Sequence, residues 1–101
     1  MEEITTLIWE SAEKRRCIRI HLRGEPLSRT VHPYGICRTS ADKIVLVCWQ
    51  AMGFTKPGGT EGFRNLVLEG VDEVEMLDSH FKVSEMFNPK DPQYKEWVFH
   101  I

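Results

Sequence analysis

Apolar residues near the start of the chain recur at steps of three and four: Ile4, Leu7, Ile8 and Ala12. That spacing predicts a helix from Glu2 to about Lys14 with one apolar stripe and Trp9 at its margin. Glu2 and Glu3 lead it and Lys14, Arg15 and Arg16 close it, charges that suit the two ends of a helix dipole. At Cys17 the period drops to two. Ile18, Ile20 and Leu22 share one face of a predicted strand, and Cys17, Arg19, His21 and Arg23 share the other. Gly24-Glu25-Pro26 reads as a turn. A second extended run follows from about Leu27 to Arg38, in which Pro33 and Gly35 predict an edge, a bulge or a sharp bend, because proline has no N–H for a ladder.

Lys43 to Gln50 is the clearest strand. Ile44-Val45-Leu46-Val47-Cys48-Trp49 is apolar on both faces, which predicts a central position covered above and below. The segment from about Ala51 to Gly62, with Lys56-Pro57-Gly58-Gly59, reads as a loop long enough for a flap. Phe63 to Glu69 alternates again, Gly70 interrupts, and Val71 to Leu77 reads as the last strand. Turn signals at Asn88-Pro89 and Asp91-Pro92 introduce a tail. Its Tyr94, Trp97, Val98 and Ile101 fit a short helix or an added extended piece packed on the domain.

At 101 residues the chain has room for one domain. One helix followed by about five bent strands predicts a mainly β fold. The expected form is a small SH3-like or Sm-like five-stranded barrel with an N-terminal helix and a short C-terminal extension, since closure removes sheet edges that a thin core cannot protect. Bends are expected at Gly35 and Gly70. The domain is placed at 1–88 and the tail at 89–101.

Charge changes this picture in one respect. Thirteen basic and fifteen acidic residues give a net charge of −2, which provides no bulk positive charge to hold a polyanion. The distribution is asymmetric, however. Lys14, Arg15, Arg16, Arg19, Arg23, Arg29 and Arg38 lie early, whereas Glu69, Asp72, Glu73, Glu75, Asp78 and Glu85 lie late. Either one face is basic, or early arginines pair with late carboxylates. Cys17, Cys37 and Cys48 are odd in number and sit in apolar runs, which predicts buried thiols in a reducing cytoplasm. No stretch approaches the roughly 18 apolar residues that read as a membrane span.

The chain resembles a WYL domain, a module of bacterial transcriptional regulators and some defence-associated proteins. The resemblance runs over about residues 4–81. It is carried by Arg16-Cys17-Ile18-Arg19-Ile20-His21, by Ser28-Arg29-Thr30-Val31-His32-Pro33-Tyr34-Gly35-Ile36, by Lys43-Ile44-Val45-Leu46-Val47-Cys48-Trp49, and by Gly62-Phe63-Arg64-Asn65-Leu66-Val67-Leu68-Glu69-Gly70-Val71. It implies an Sm-like barrel that senses a small or nucleic-acid-derived ligand through a basic patch. By position, Arg29 matches the family's arginine ahead of the proline, with Ser28 preceding it, and Arg64 matches a basic position on the fourth strand. Ile44, Val45 and Leu46 stand in place of the naming trio, His21 in place of a first-strand tyrosine, and Glu69-Gly70 in place of a basic residue before the last strand.

The candidate ligand-binding residues are therefore Arg19, His21, Ser28, Arg29, His32 and Arg64. Arginine offers a planar fork that meets phosphate or carboxylate oxygens at two points. Tyr34, Trp49 and Phe63 are the candidate stacking platforms for a base, with packing the commoner use of such rings. Cys17 with His21 and His32 with Cys37 lack the short spacing of a structural zinc site, so no metal and no cofactor are expected. Cys48 sits in the most apolar strand, where burial silences a thiol, and no phosphate-cradling glycine loop is present, so no enzyme is expected. The expected function is ligand sensing or regulation by a stand-alone module, with a nucleotide, a short single strand of nucleic acid or a regulatory protein as partner, and no membrane. The alternative is a protein-interaction or homo-oligomerisation module that docks through an exposed strand edge or through the aromatic tail of Tyr94, Trp97 and Phe99.

Overall fold

A computed structural model of the chain describes residues 2–55 and 61–101, so the predicted Lys56-Pro57-Gly58-Gly59 turn lies outside the described residues. Helix α1 spans Glu2–Glu13. Ile8, Ser11 and Ala12 form its buried stripe, and the Ser11 hydroxyl donates to the Leu7 carbonyl at 2.8 Å, so no polar atom is stranded there. The helix stops because Arg15 turns to φ 56°, and the Arg15 guanidinium then donates to the Ala12 carbonyl at 2.7 Å.

Six strands follow: β1 (Arg16–Leu22), β2 (Arg29–Thr39), β3 (Ile44–Gly53), β4 (Gly62–Val67), β5 (Val71–His80) and β6 (Tyr94–His100). A 3-10 turn at Leu68–Gly70 joins β4 to β5. All pairings are antiparallel, in the order β4-β3-β2-β1-β5, with β6 added to β2. Among the described residues no ladder joins β4 to β5, so the sheet is open and not a closed cylinder. The tail is the sixth strand, which a reading of five strands does not contain. Its apolar positions are too few to announce a strand until β2 offers an edge.

Strand β2 organises this arrangement. One of its edges is lined by β3 along almost its whole length. The other edge pairs with β1 at Arg29–Val31 and with β6 at Gly35–Thr39. Pro33 lies in the gap between the two partners, where its missing N–H leaves no ladder bond unmade. Tyr34 is an extra residue opposite β3, where the register steps from Pro33↔Cys48 to Gly35↔Val47. This bulge reverses the alternation, so Val31 and Ile36 face the same core although they are an odd number of residues apart. Gly35 is needed for the partner exchange. A Cβ there would collide with the Phe99 carbonyl and lie 2.7 Å from the Trp97 ring.

The sheet is covered on both faces. Ile18, Ile20, Val31, Ile36, Leu46, Cys48, Leu66 and Phe99 meet Ile8 and Ala12 of α1 on the inner face. Trp9 extends that contact by stacking on Phe99 with ring centroids 4.6 Å apart. On the outer face Cys17, Tyr34 and Phe81 form a second cluster, and Cys37, Val45 and Val47 a third, with Phe87 packed against both. The segment 81–93 supplies this cover, fastened by a hydrogen bond from the Ser84 N–H to the Tyr34 hydroxyl at 3.2 Å and by Trp97 Nε1 donating to the Pro89 carbonyl at 2.9 Å. All three cysteines are buried and unpaired.

Replacement of Gly35 by alanine is expected to lower the unfolding free energy by about 1–3 kcal/mol, because backbone of β6 has to move. Gly70→Ala, where the new methyl meets nothing within 4 Å, is expected to stay within about 0.5 kcal/mol of the parent. Urea unfolding of the two variants side by side checks the contrast.

Candidate functional site

Arg29 opens β2 with its side chain on the inner face, and only 7% of the residue is exposed. Its Nε donates to Glu25 Oε1 at 2.9 Å and Nη2 to Glu25 Oε2 at 2.5 Å, a two-point clamp. Nη1 donates to Gln50 Oε1 at 3.0 Å. Gln50 is fully buried, and its Nε2 donates to the Phe54 carbonyl at 2.8 Å, while the Phe54 N–H donates to the Ser28 carbonyl at 3.1 Å. Ser28 thus contributes its backbone to a circuit that ties the turn before β2 to the end of β3. The Phe54 ring lies under the Arg29 guanidinium at 5.8 Å. Gly53 permits this closeness, with φ 103° and no room for a Cβ against Ser28 and Arg29. Removing either charge of the Arg29–Glu25 pair strands the other in the interior, a loss of about 3–5 kcal/mol.

Arg64 projects to the same inner face from β4, opposite Cys48 in the ladder. Its Nη1 donates to the Phe63 carbonyl at 2.9 Å. The Cys48 thiol points toward the Arg64 carbonyl at 3.7 Å. Burial pushes that thiol up to about 12, and the charges of Arg29 and Arg64 both act on it in the opposite direction. The thiol is therefore held in its neutral form. Burial also pushes the Cys37 thiol up.

The other candidates lie elsewhere. Arg19 and His21 project from the opposite face of β1, where β5 runs antiparallel beside it. That pairing sets early cations against late carboxylates: Arg16 on Asp78 at 3.0 Å, Arg19 on Glu75 at 2.6 Å, and His21 on Asp72 at 2.7 Å. Arg38 pairs with Asp42 at 2.7 Å. His32 stacks flat on Phe81 at 4.9 Å, and burial lowers its pKa. Arg29 and Arg64 thus lie on one face and their charges both act on Cys48, whereas Arg19, His21 and His32 lie on the other face.

His21 is the most constrained of these. Its Nδ1 faces Asp72 and its Nε2 faces the Glu25 carbonyl at 2.8 Å. Both partners only accept, so the two contacts are hydrogen bonds together only when both nitrogens carry protons, and the arrangement favours the imidazolium. The hydrogen bond to Asp72 raises its pKa first, that to Glu25 next, and burial opposes them.

Of the stacking candidates, Tyr34 is buried, Trp49 is partly buried, and Phe63 is 37% exposed. Phe99 is buried under Trp9, so this tail aromatic packs inward. Among the described residues no group of three His, Cys, Asp or Glu side chains could hold a metal, and no helix is long and apolar enough to cross a membrane. Glu25, Gln50 and Phe54 were not legible as partners of Arg29. The one signal was a glutamate in the turn just ahead of Arg29, because Gln50 and Phe54 become neighbours only through the β2–β3 ladder. No family model matches the chain, nor does any curated protein or solved structure.

Because the folded pKa of His21 lies above 6.5, its contribution to stability is complete below that value and is lost as pH rises through the folded pKa. Thermal melting between about pH 6 and pH 8 is expected to show this decline, with His21→Gln flattening it. An unchanged slope in that variant places the titration elsewhere.

Proposed function

We propose that the chain is a regulatory binding module of the WYL type, its open sheet a form of the Sm-like barrel of that resemblance. Its ligand is a small anion or nucleic-acid fragment, taken on the inner face beside Cys48, on whose thiol the charges of Arg29 and Arg64 both act. The observation that supports this is that the charges of Arg29 and Arg64, far apart in sequence, both act on the buried Cys48 thiol, while Arg29 also donates to the Gln50 amide oxygen. Arg29 is held rigid by Glu25 and Gln50, which commit three of its five donors and set the plane of its fork. A phosphate or carboxylate gains most from a guanidinium already fixed in place. Arg19 and His21 belong to the ion pairs of β1 and β5 and serve the fold.

Titration with nucleoside monophosphates and a short single-stranded oligonucleotide, followed by calorimetry, tests the reading. Arg64→Ala is expected to weaken binding by about tenfold or more, in keeping with a lost hydrogen bond to a charged group. Arg19→Ala, on the other face, is expected to leave it unchanged. Melting curves recorded on both variants separate binding from folding. Equal affinity of the parent and Arg64→Ala, or no binding by the parent, ends the proposal.

The second reading, self-association through the tail, is favoured by β6. This strand pairs with β2 alone among the described residues, and Val98 on it is half exposed. Sedimentation at the monomer mass across a wide concentration range removes it.

A further inference from the structure

The outer face of β4 carries Phe63, on the side away from Arg64, and a small cavity opens there toward the tail. It has a volume of about 140 Å³ and is lined by the rings of Phe63, Phe87 and Tyr94 together with Met86, Asn88, Asp91 and Gln93. This is below the roughly 300–1,000 Å³ of pockets that take drug-sized molecules, so one compact head group is the occupant it can hold. Its rings come from β4, from the segment 81–93 and from β6, and they belong to a continuous aromatic run. Tyr34 touches Phe63 at 5.9 Å and Phe87 at 4.8 Å, Phe87 touches Trp97 at 6.0 Å, and Trp97 touches Tyr94 at 4.9 Å.

The walls are braced from three sides. Asn65 Nδ2 donates to Gln93 Oε1 at 3.0 Å and ties the tail turn to β4. Trp97 Nε1 donates to the Pro89 carbonyl, and Ser84 is held by the Tyr34 hydroxyl. The Gln93 N–H donates to Asp91 Oδ1 at 3.0 Å and fixes that carboxylate in the lining. Among the described residues no lysine, arginine or histidine lines the cavity.

Aromatic faces carry the negative end of a quadrupole, and one carboxylate adds a full negative charge, so this lining is attractive to a cation and repellent to an anion. A bare ammonium ion gives up strong hydration to enter such a place. A methylated ammonium is weakly hydrated and presents methyl groups to the rings, and the exposed thioether of Met86 offers a further soft contact. We infer that the cavity between β4 and the tail is a binding site for a methylated ammonium head group, with Phe63, Phe87 and Tyr94 as its walls and Asp91 as its counter-charge. It is separate from the anion site on the inner face and does not depend on it.

Choline and its neutral carbon isostere dimethylbutanol, which share a shape and differ in charge, are the probes. In a nuclear magnetic resonance titration of the full chain, choline is expected to shift Phe63, Phe87 and Tyr94 saturably and to bind about tenfold more tightly than the isostere. Asp91→Asn is expected to weaken choline several-fold and leave the isostere unchanged. Tyr94→Leu is expected to abolish the preference, with circular dichroism showing the sheet intact. Equal binding of the two probes makes the cavity a plain apolar hollow, and the absence of saturable shifts at these rings makes it no site. Either result overturns the inference, whatever Arg64→Ala does to anion binding.

Discussion

Strand β2 must bend, and most of the molecule follows from that. On the edge away from β3, this strand of eleven residues pairs with β1 only at Arg29–Val31, which leaves its far end to another partner. By exchanging β1 for β6 at Pro33-Tyr34-Gly35 it keeps backbone partners on both sides for most of its length. The local chemistry suits that exchange, with a residue lacking an N–H at the gap, an extra tyrosine at the bulge, and a residue lacking a Cβ where β6 comes closest. The inner core under α1 and the outer core under the tail both rest on this geometry, because it orients Val31 and Ile36 one way and Tyr34 and Cys37 the other.

The same topology disposes of the charges. Placing β5 antiparallel to β1 sets a row of basic side chains opposite a row of acidic ones, so the outer face of that pair is nearly balanced. These pairs are largely exposed and each adds little to stability. Their effect is to determine which cations remain for other work. Arg29 escapes the row because it turns inward, and there it meets a glutamate, an amide and a ring that hold it in one pose. The two sites proposed, one lined by arginines and one by aromatic rings and a carboxylate, lie on opposite faces of β4 and have opposite electrostatic character.

Much of the fold was legible in the chain. The helix was marked by Ile4, Ile8 and Ala12, β1 by its alternation, and β3 by a run apolar on both faces. Pro33 and Gly35 announced an irregular strand, and the structure gives them a bulge and a partner exchange. The tail strand was less legible, because Tyr94, Trp97 and Phe99 do not keep one period. β6 itself steps out of register against β2. Of the six candidate site residues, Arg29 and Arg64 share the inner face, and both charges act on Cys48. Arg19, His21 and His32 lie on the opposite face, and Ser28 contributes only its carbonyl.

Read alone, the sequence determined what each segment could become, since period, turn residues and buried thiols are local properties set by a residue and its near neighbours. The tertiary structure alone decided which charges meet, which face each arginine serves and whether the sheet closes. Those outcomes depend on pairings such as Arg19 with Glu75 and Arg29 with Gln50, which span dozens of residues and exist only once the strands are in register. A side chain's type is written locally, but its electrostatic surroundings are assembled from across the whole chain.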